Sequence, residues 1–218
     1  MMQSLPNLLA DFKPPQHTPD EWRDINAMVA DWEAAQLEAK KARRIEASGI
    51  PRCFLNADIS KCCDAVKSWT ESPGEKGLLI QGGVGRGKTY SACAILIELA
   101  GTHTVRFAAM ADILMQIKAT FSNRESEQDV IGRYVNVGVL VIDDVGKERF
   151  TEWSLPIFFT IIDKRHKASK PTIITSQYKG RALLDKFHVN HDMETAKALA
   201  SRIGQYQRIM LEGRDLRS

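Results

Sequence analysis

The chain has 218 residues, 26% of them charged and 44% apolar, with a formal net charge of +3. That length accommodates one full α/β domain with a small appendage, and the composition is ordinary for a globular protein. No apolar run reaches the length of about 18 residues that a membrane-spanning helix needs. The N-terminus MMQSLPNLLADFKPPQ lacks the basic start and sustained apolar centre of a signal peptide, so a cytoplasmic protein is expected. Cys53, Cys62, Cys63 and Cys93 show no C-x-x-C spacing, and an adjacent pair chelates a tetrahedral metal poorly, so they read as idle or buried thiols.

Residues 1–17 are punctuated by Pro6, Pro14 and Pro15, with Leu5, Leu8, Leu9 and Phe12 as apolar anchors, which reads as a frayed tail or a short docking segment. Thr18-Pro19-Asp20-Glu21 then signals a helix start: Thr18 as N-cap, Pro19 in the first turn and Glu21 closing a capping box. Trp22, Ile25, Met28/Val29 and Trp32 follow at steps of three and four and so share one stripe. The helix ends in Lys40-Lys41-Ala42-Arg43-Arg44 and is closed by Gly49. Its stripe is too small to form a core alone, so it packs on the main domain, on another subunit or on a partner. Tryptophan and methionine favour the partner. After the break at Gly49, Ile50, Pro51 and Phe54 are candidates to line an adenine pocket, with ordinary core packing as the alternative.

Leu78 to Gln81 reads as a strand, followed by Gly82-Gly83-Val84-Gly85-Arg86-Gly87-Lys88-Thr89 and an apolar helix from Ala92 to Leu99. This is G-x-x-x-x-G-K-T in its strand–loop–helix setting, a phosphate-binding loop. Phosphate oxygens need several backbone N–H groups converging on them, and glycines let the chain turn tightly enough to supply those groups. The helix start adds unpaired N–H groups and the positive end of its dipole. Gly82, Gly83, Val84, Gly85, Arg86, Gly87 and Tyr90 are expected to surround the nucleotide. Lys88 is expected on the β- and γ-phosphates and Thr89 on Mg²⁺.

A strand over Thr104–Ala108, a helix over Ala109–Phe121 with Ile113, Leu114 and Ile117 inward, a polar mobile segment over Ser122–Asp129 and a short helix near Val130–Tyr134 come next. Val137 to Ile142 is a continuous apolar run, as a strand buried on both faces requires, and it ends in Asp143-Asp144. Carboxylates at the carboxyl end of a parallel strand sit where such sheets hold ligands. Asp143 would complete the Mg²⁺ shell through water, and Asp144 would orient an attacking water. A helix to about His166, a strand over Pro171–Gln177, helices over Ala182–Phe187 and Met193–Arg202 and a strand over Arg208–Leu211 complete a βαβαβαβ order, hence a parallel sheet between helices. From Asp163 onward there are twelve Lys/Arg against six Asp/Glu, a basic face that is either solvated or turned to phosphates.

In order, Gly49-Ile50-Pro51-Arg52, GGVGRGKT, LVIDDVGKERFTEW, IIDKRHKASKPTIITSQY, ASRI and a closing LEGRDLR resemble the AAA+ ATPases of the DnaC/DnaI helicase-loader and IstB transposition-helper group, over about residues 49–218. The resemblance implies an AAA+ P-loop fold with a five-stranded parallel sheet and no typical C-terminal lid, preceded by an N-terminal partner-binding segment over 1–48. It implies that Gln177 is the sensor at the tip of the fourth strand, where the group usually has Asn. Arg202 would be an arginine finger reaching a neighbouring subunit's nucleotide, so that hydrolysis depends on assembly. Arg165, at a usually basic position, would also face a neighbour's nucleotide, and Arg217 is a weaker candidate for the same role. The catalytic set is then Lys88, Asp144, Gln177 and Arg202, with ATP and Mg²⁺ as cofactors. The implied function is an ATP-dependent loader that holds a hexameric DnaB-type replicative helicase and delivers it to single-stranded DNA. The alternatives are an IstB-like ATPase helper of transposition, which would bind duplex DNA and a transposase, and a non-hydrolysing ATP-switch adaptor, for which the longer Gln177 side chain speaks.

Overall fold

A computed structural model describes residues 18–74, 77–122, 124–188 and 192–213. The expected anchors Leu5, Leu8, Leu9 and Phe12, and Arg217, lie outside those residues. The chain divides into two compact units, residues 1–39 and 40–218.

The first unit consists, in its described part, of most of helix α1 (Pro19–Glu46). The capping box forms as expected: the Thr18 N–H donates to Glu21 Oε2 at 2.7 Å, and the Glu21 N–H donates to Thr18 Oγ1 at 3.3 Å. No residue of α1 is buried. Trp22 and Trp32 are 49% and 64% exposed, and Met28 and Val29 are exposed beside them.

The second unit is a three-layer α/β domain. Its strands are β1 (Leu78–Gln81), β2 (Val105–Ala109), β3 (Val139–Asp143), β4 (Thr172–Ser176) and β5 (Gln207–Met210), in the spatial order β2-β3-β4-β1-β5 with every neighbouring pair parallel. Parallel neighbours require crossovers, and helices provide them. Helix α2 (Asp64–Glu71) precedes β1 and packs on the sheet without linking two strands, while the crossovers are α3 (Lys88–Leu99), α4 (Met110–Ala119), α5 (Glu127–Asn136), α6 (Ser154–Lys167), α7 (Gly180–Lys186) and α8 (Met193–Gly204). Side chains alternate across each strand, so Leu78, Ile80, Val139 and Val141 join a core with Val66 and Trp69 of α2 and Ile95 and Leu96 of α3. Leu79, Leu140 and Ile142 join the opposite core, with Ile113 and Ile117 of α4, Tyr134 of α5, Phe158 and Ile162 of α6, and Leu199 of α8. Two covered faces explain why β3 is apolar at successive positions and wholly buried. Among the described residues no helix is long and apolar enough to cross a membrane.

The chain leaving α1 covers one sheet edge, where the Phe107 N–H donates to the Ser48 carbonyl at 2.7 Å. Gly49 is required there. Its φ is +80°, and a Cβ would approach the Phe107 carbonyl oxygen to 2.8 Å. The basic end of α1 also has a specific role, because Arg44 Nη1 donates to the Ala100 and Gly101 carbonyls at 2.8 and 2.9 Å, capping the C-terminal end of α3.

Two local readings change. The polar segment over Ser122–Asp129 is partly helical, because Ser126 Oγ accepts from the Gln128 N–H at 3.2 Å and starts α5 at Glu127, three residues ahead of its apolar face. Helix α2 was not expected at all: it is eight residues long, and its inward side is only Val66, Trp69 and Thr70. So short an apolar pattern, between cysteines and a Ser-Pro-Gly turn, carries little periodic signal.

Candidate functional site

The loop after β1 is threaded between its neighbours. The Gly82 N–H donates to the Ser176 carbonyl at 3.3 Å, and the Leu211 N–H donates to the Gln81 carbonyl at 2.7 Å. A Cβ on Gly82 would meet the Leu211 carbonyl oxygen at 2.5 Å. Gly85 and Gly87 have φ of 72° and 76°, in the left-handed region, so the loop turns back on itself just before α3 begins at Lys88. Lys88 is buried, and its Nζ donates to the Gly83 carbonyl at 2.8 Å across the loop. Arg86 Nη1 is buried with no protein partner, the kind of orphaned donor that an anionic oxygen satisfies. A left-handed glycine turn, a buried ammonium and an orphaned guanidinium N–H at a helix start fit a polyphosphate.

The ends of β3 and β4 add a connected set of oxygens. Thr89 Oγ1 donates to the Asp143 carboxylate, 3.1 Å from both oxygens. Thr175 Oγ1 donates to Asp143 Oδ1 at 2.5 Å and accepts from the Asp144 N–H at 3.0 Å. Burial pushes the Asp143 carboxyl above the ordinary carboxylate range and the neighbouring Asp144 charge adds to this, while the Thr175 and Thr89 hydroxyls and Lys88 pull it back. Such a carboxylate is completed by a cation. No group of three or more His, Cys, Asp or Glu suited to a metal occurs among the described residues, so an ion here would rest on Thr89, Asp143, substrate oxygens and water, which suits Mg²⁺.

Asp144 stands in the left-handed region, at φ 58°, which is strained for a residue with a side chain. Asp144 lines a cavity of about 360 Å³ together with Phe54, Val84, Gly85, Arg86, Gly87, Lys88, Thr89, Tyr90, Lys147 and Gln177. The structure thus brings together the loop, Asp144 and Gln177, as expected. Of the three adenine-wall candidates only Phe54 lines this cavity. Ile50 is buried in the core beside α3, because the turn at Gly49 aims it inward, and Pro51 is not among the lining residues. Tyr90 secures the Phe54 segment, its hydroxyl accepting from the Asp58 N–H at 3.0 Å. Gln177 is held through its neighbours: Gln81 Nε2 donates to the Tyr178 carbonyl at 2.6 Å, and Ser176 Oγ donates to the Val145 carbonyl at 2.7 Å.

Thr175 and Lys147 are the residues that the sequence reading missed. A buried hydroxyl one strand away from Asp143 is legible in principle, as the polar interruption of Thr172-Ile173-Ile174-Thr175, but its partner depends on the β3–β4 pairing.

The two distal arginines differ from each other. Arg202 on α8 pairs with Asp163 on α6, with Nε and Nη2 each 3.2 Å from Oδ1. Lys167 binds the same carboxylate at 2.6 Å, and Lys167 first, then Arg202, holds Asp163 below the usual carboxylate range. Arg165 does not face a neighbour. It is fully buried, and its guanidinium donates to Thr172 Oγ1 (2.8 Å) and to the carbonyls of Tyr134 (2.9 Å), Val135 (3.3 Å), Val137 (2.7 Å), Gly138 (3.1 Å) and Pro171 (2.6 Å). The implied contact with another subunit's nucleotide is therefore corrected to an internal clamp.

Residues 60–215 match the family described as IstB-like ATP binding protein. The replicative helicase loader DnaI of Bacillus subtilis is 24% identical over 184 residues, covering 79% of this chain and 59% of that protein. The chain thus spans about three fifths of that relative's length. The replicative helicase loader DnaC of Buchnera aphidicola subsp. Baizongia pistaciae is 30% identical over 198 residues, covering 79% of each. The crystal structure of DnaI superposes with a TM-score of 0.63 at 22% identity, over 80% of this chain and 99% of that one, a likeness of AAA+ fold. With the family match running through nearly all of the sheet-bearing unit, the chain belongs to the IstB-like ATP-binding proteins and is homologous to the replicative helicase loaders DnaI and DnaC.

Proposed function

We propose that this protein is a cytoplasmic, Mg²⁺-dependent ATPase that loads a hexameric DnaB-type replicative helicase onto single-stranded DNA. The observation that carries the nucleotide part is the joining of the phosphate loop to the strand-end carboxylates through Thr89, Asp143 and Thr175. Lys88 binds the β- and γ-phosphates, and the loop N–H groups from Gly82 to Gly87 bind the rest, beside Phe54 and Tyr90. Thr89 and Asp143 hold Mg²⁺, which supplies charge neutralisation at the phosphates. Asp144 orients the attacking water, and Gln177 contacts that water or the terminal phosphate.

Hydrolysis is weak in the isolated chain because the last cation comes from a neighbour: Arg202 leaves Asp163, which keeps Lys167, and reaches the adjoining subunit's nucleotide. An arginine supplied in trans is worth about 10³-fold or more in rate. Arg202→Ala should therefore cut assembly-stimulated phosphate release by at least about 100-fold while leaving the isolated chain's nucleotide affinity unchanged. An unchanged stimulated rate would remove Arg202 from the catalytic set.

The segment over 1–48 binds the helicase. Supporting this are the exposed Trp22, Met28, Val29 and Trp32 on α1 and the homology to the loaders. Basic residues on the ATPase domain, over 49–218, contact the DNA strand. The reading is tested by light scattering after size exclusion of this protein mixed with its host's replicative helicase, with and without ATP. A defined complex is expected. Trp22→Ala with Trp32→Ala should weaken that complex about 100-fold or more, two exposed anchors being lost, while leaving ATP binding intact. Absence of any complex would favour the transposition helper, and duplex DNA with a transposase would then be the next pairing to try.

A further inference from the structure

Among the described residues three cations line the nucleotide cavity, and the phosphate loop accounts for only two of them, Arg86 and Lys88. The third, Lys147, comes from the turn after β3. That turn is rigidly built. The Val145 N–H donates to the Thr175 carbonyl at 2.9 Å, and the Lys147 N–H closes on the Asp144 carbonyl at 3.2 Å. Gly146 has φ +89°, and a Cβ there would press on Tyr178 at 3.1 Å and Leu183 at 3.3 Å. The backbone of Lys147 is thus fixed at the mouth of the cavity, while its side chain is 65% exposed and able to pivot. Its Nζ lies 3.6 Å from Asp144 Oδ2.

We infer that Lys147 binds the terminal phosphate of the nucleotide, and that without a triphosphate the same ammonium holds Asp144, so that ATP binding exchanges one anion for the other and releases Asp144 to orient water. This rests on the nucleotide-site reading above and adds to it a residue that separates triphosphate from diphosphate. An exposed lysine–carboxylate pair is weak, so it is readily given up. A terminal phosphate carries more charge than a carboxylate and offers three strong acceptor oxygens. Lys147 lines the cavity together with Asp144 and Gln177, all three from the segments that follow β3 and β4 rather than from the phosphate loop after β1, so its ammonium is available to an oxygen that the loop itself does not hold. Asp144, freed of its counter-charge, accepts a hydrogen bond from water more strongly.

The test is equilibrium binding of a fluorescent non-hydrolysable ATP analogue and of fluorescent ADP, both with Mg²⁺, to the wild type, Lys147→Ala, Lys147→Arg, Asp144→Asn and the Asp144→Asn/Lys147→Ala pair. Lys147→Ala should weaken the triphosphate about 10-fold and leave ADP within about 2-fold, with Lys147→Arg restoring most of the loss. A selective loss at least as large should appear in the Asp144→Asn background, where the lysine has no carboxylate to give up before it meets the phosphate. Equal weakening of both nucleotides, no weakening of either, or a selective loss that vanishes with Asp144→Asn would overturn the inference while leaving the phosphate-loop site standing. A wild type that binds neither nucleotide would overturn the site reading, and this inference with it.

Discussion

Lys88→Ala is expected to raise the dissociation constant for ATP at least about 100-fold, the loss of one charge-assisted contact to phosphate in a desolvated site. The ammonium is buried at the first residue of α3, and its Nζ is already aimed across the loop at the Gly83 carbonyl. The other cations among the described lining residues are placed differently: Arg86 stands two residues earlier in the loop with its Nη1 buried, and Lys147 belongs to the turn after β3. The variant should fold, because removing a buried cation also removes its desolvation cost. Two melts distinguish the outcomes. In the wild type, ATP with Mg²⁺ raises the melting temperature by mass action, since it binds the folded chain. In Lys88→Ala the nucleotide-free melt should stay close to the wild type's and the ATP-induced rise should disappear. A retained rise would mean that ATP binds elsewhere.

The second large effect concerns stability rather than binding. Arg165→Met should cost about 3–5 kcal/mol, or roughly 10 °C or more in melting temperature for a domain of this size. The guanidinium gathers the carbonyls at the C-terminal end of α5, which have no helical partners of their own, and ties them to the approaches of β3 and β4. Among the described residues no carboxylate is a hydrogen-bond partner of this guanidinium. Its charge is met by carbonyl dipoles, including the negative end of the α5 dipole, and burial lowers its pKa only to about 10, so it remains protonated at neutral pH. Methionine fills part of the space and leaves several buried acceptors unpaired, each worth about 1–3 kcal/mol. Lysine, with three donors on a point-like ammonium, cannot reproduce the planar fork and should recover only part of the loss. Urea denaturation of the nucleotide-free protein measures the effect. A loss below about 1 kcal/mol would show that the clamp is dispensable.

These two residues also mark the limits of what sequence reveals. Lys88 was legible because the phosphate loop is a local device: its glycine spacing, its strand and its helix start are contiguous in the chain, and its geometry follows from backbone sterics. The same holds for the capping box at Thr18 and Glu21, and for β3, whose unbroken apolar run allows only a strand covered on both faces. Arg165 was misread because its meaning is not local. On α6 it is one basic residue in Lys164-Arg165-His166-Lys167, and only the packing of α6 against α5, β3 and β4 turns it inward while its neighbours face out. Ile50 was displaced from the expected adenine wall by a single left-handed glycine, whose direction depends on the Phe107 carbonyl beside it. Lys147 went unnoticed because a lysine in a polar turn looks solvated until the β3–β4 pairing places that turn at the cavity mouth.

The sequence by itself determined that this chain is a parallel α/β nucleotide-binding protein with Lys88 and Thr89 at the start of the helix after the phosphate loop, Asp143 and Asp144 at the end of β3, and a tryptophan-bearing helix ahead of them in the chain. Each of those features is written in contiguous residues, and short-range physics interprets them. Tertiary structure alone decided which distant partners meet: Thr175 on Asp143 and Phe54 on the cavity wall at the site, and, away from it, Arg202 on Asp163 and Arg165 on six acceptors. A hydrogen bond or ion pair between distant residues depends on a separation of a few ångströms that is set by strand order and helix packing, and no local pattern of residues encodes that distance.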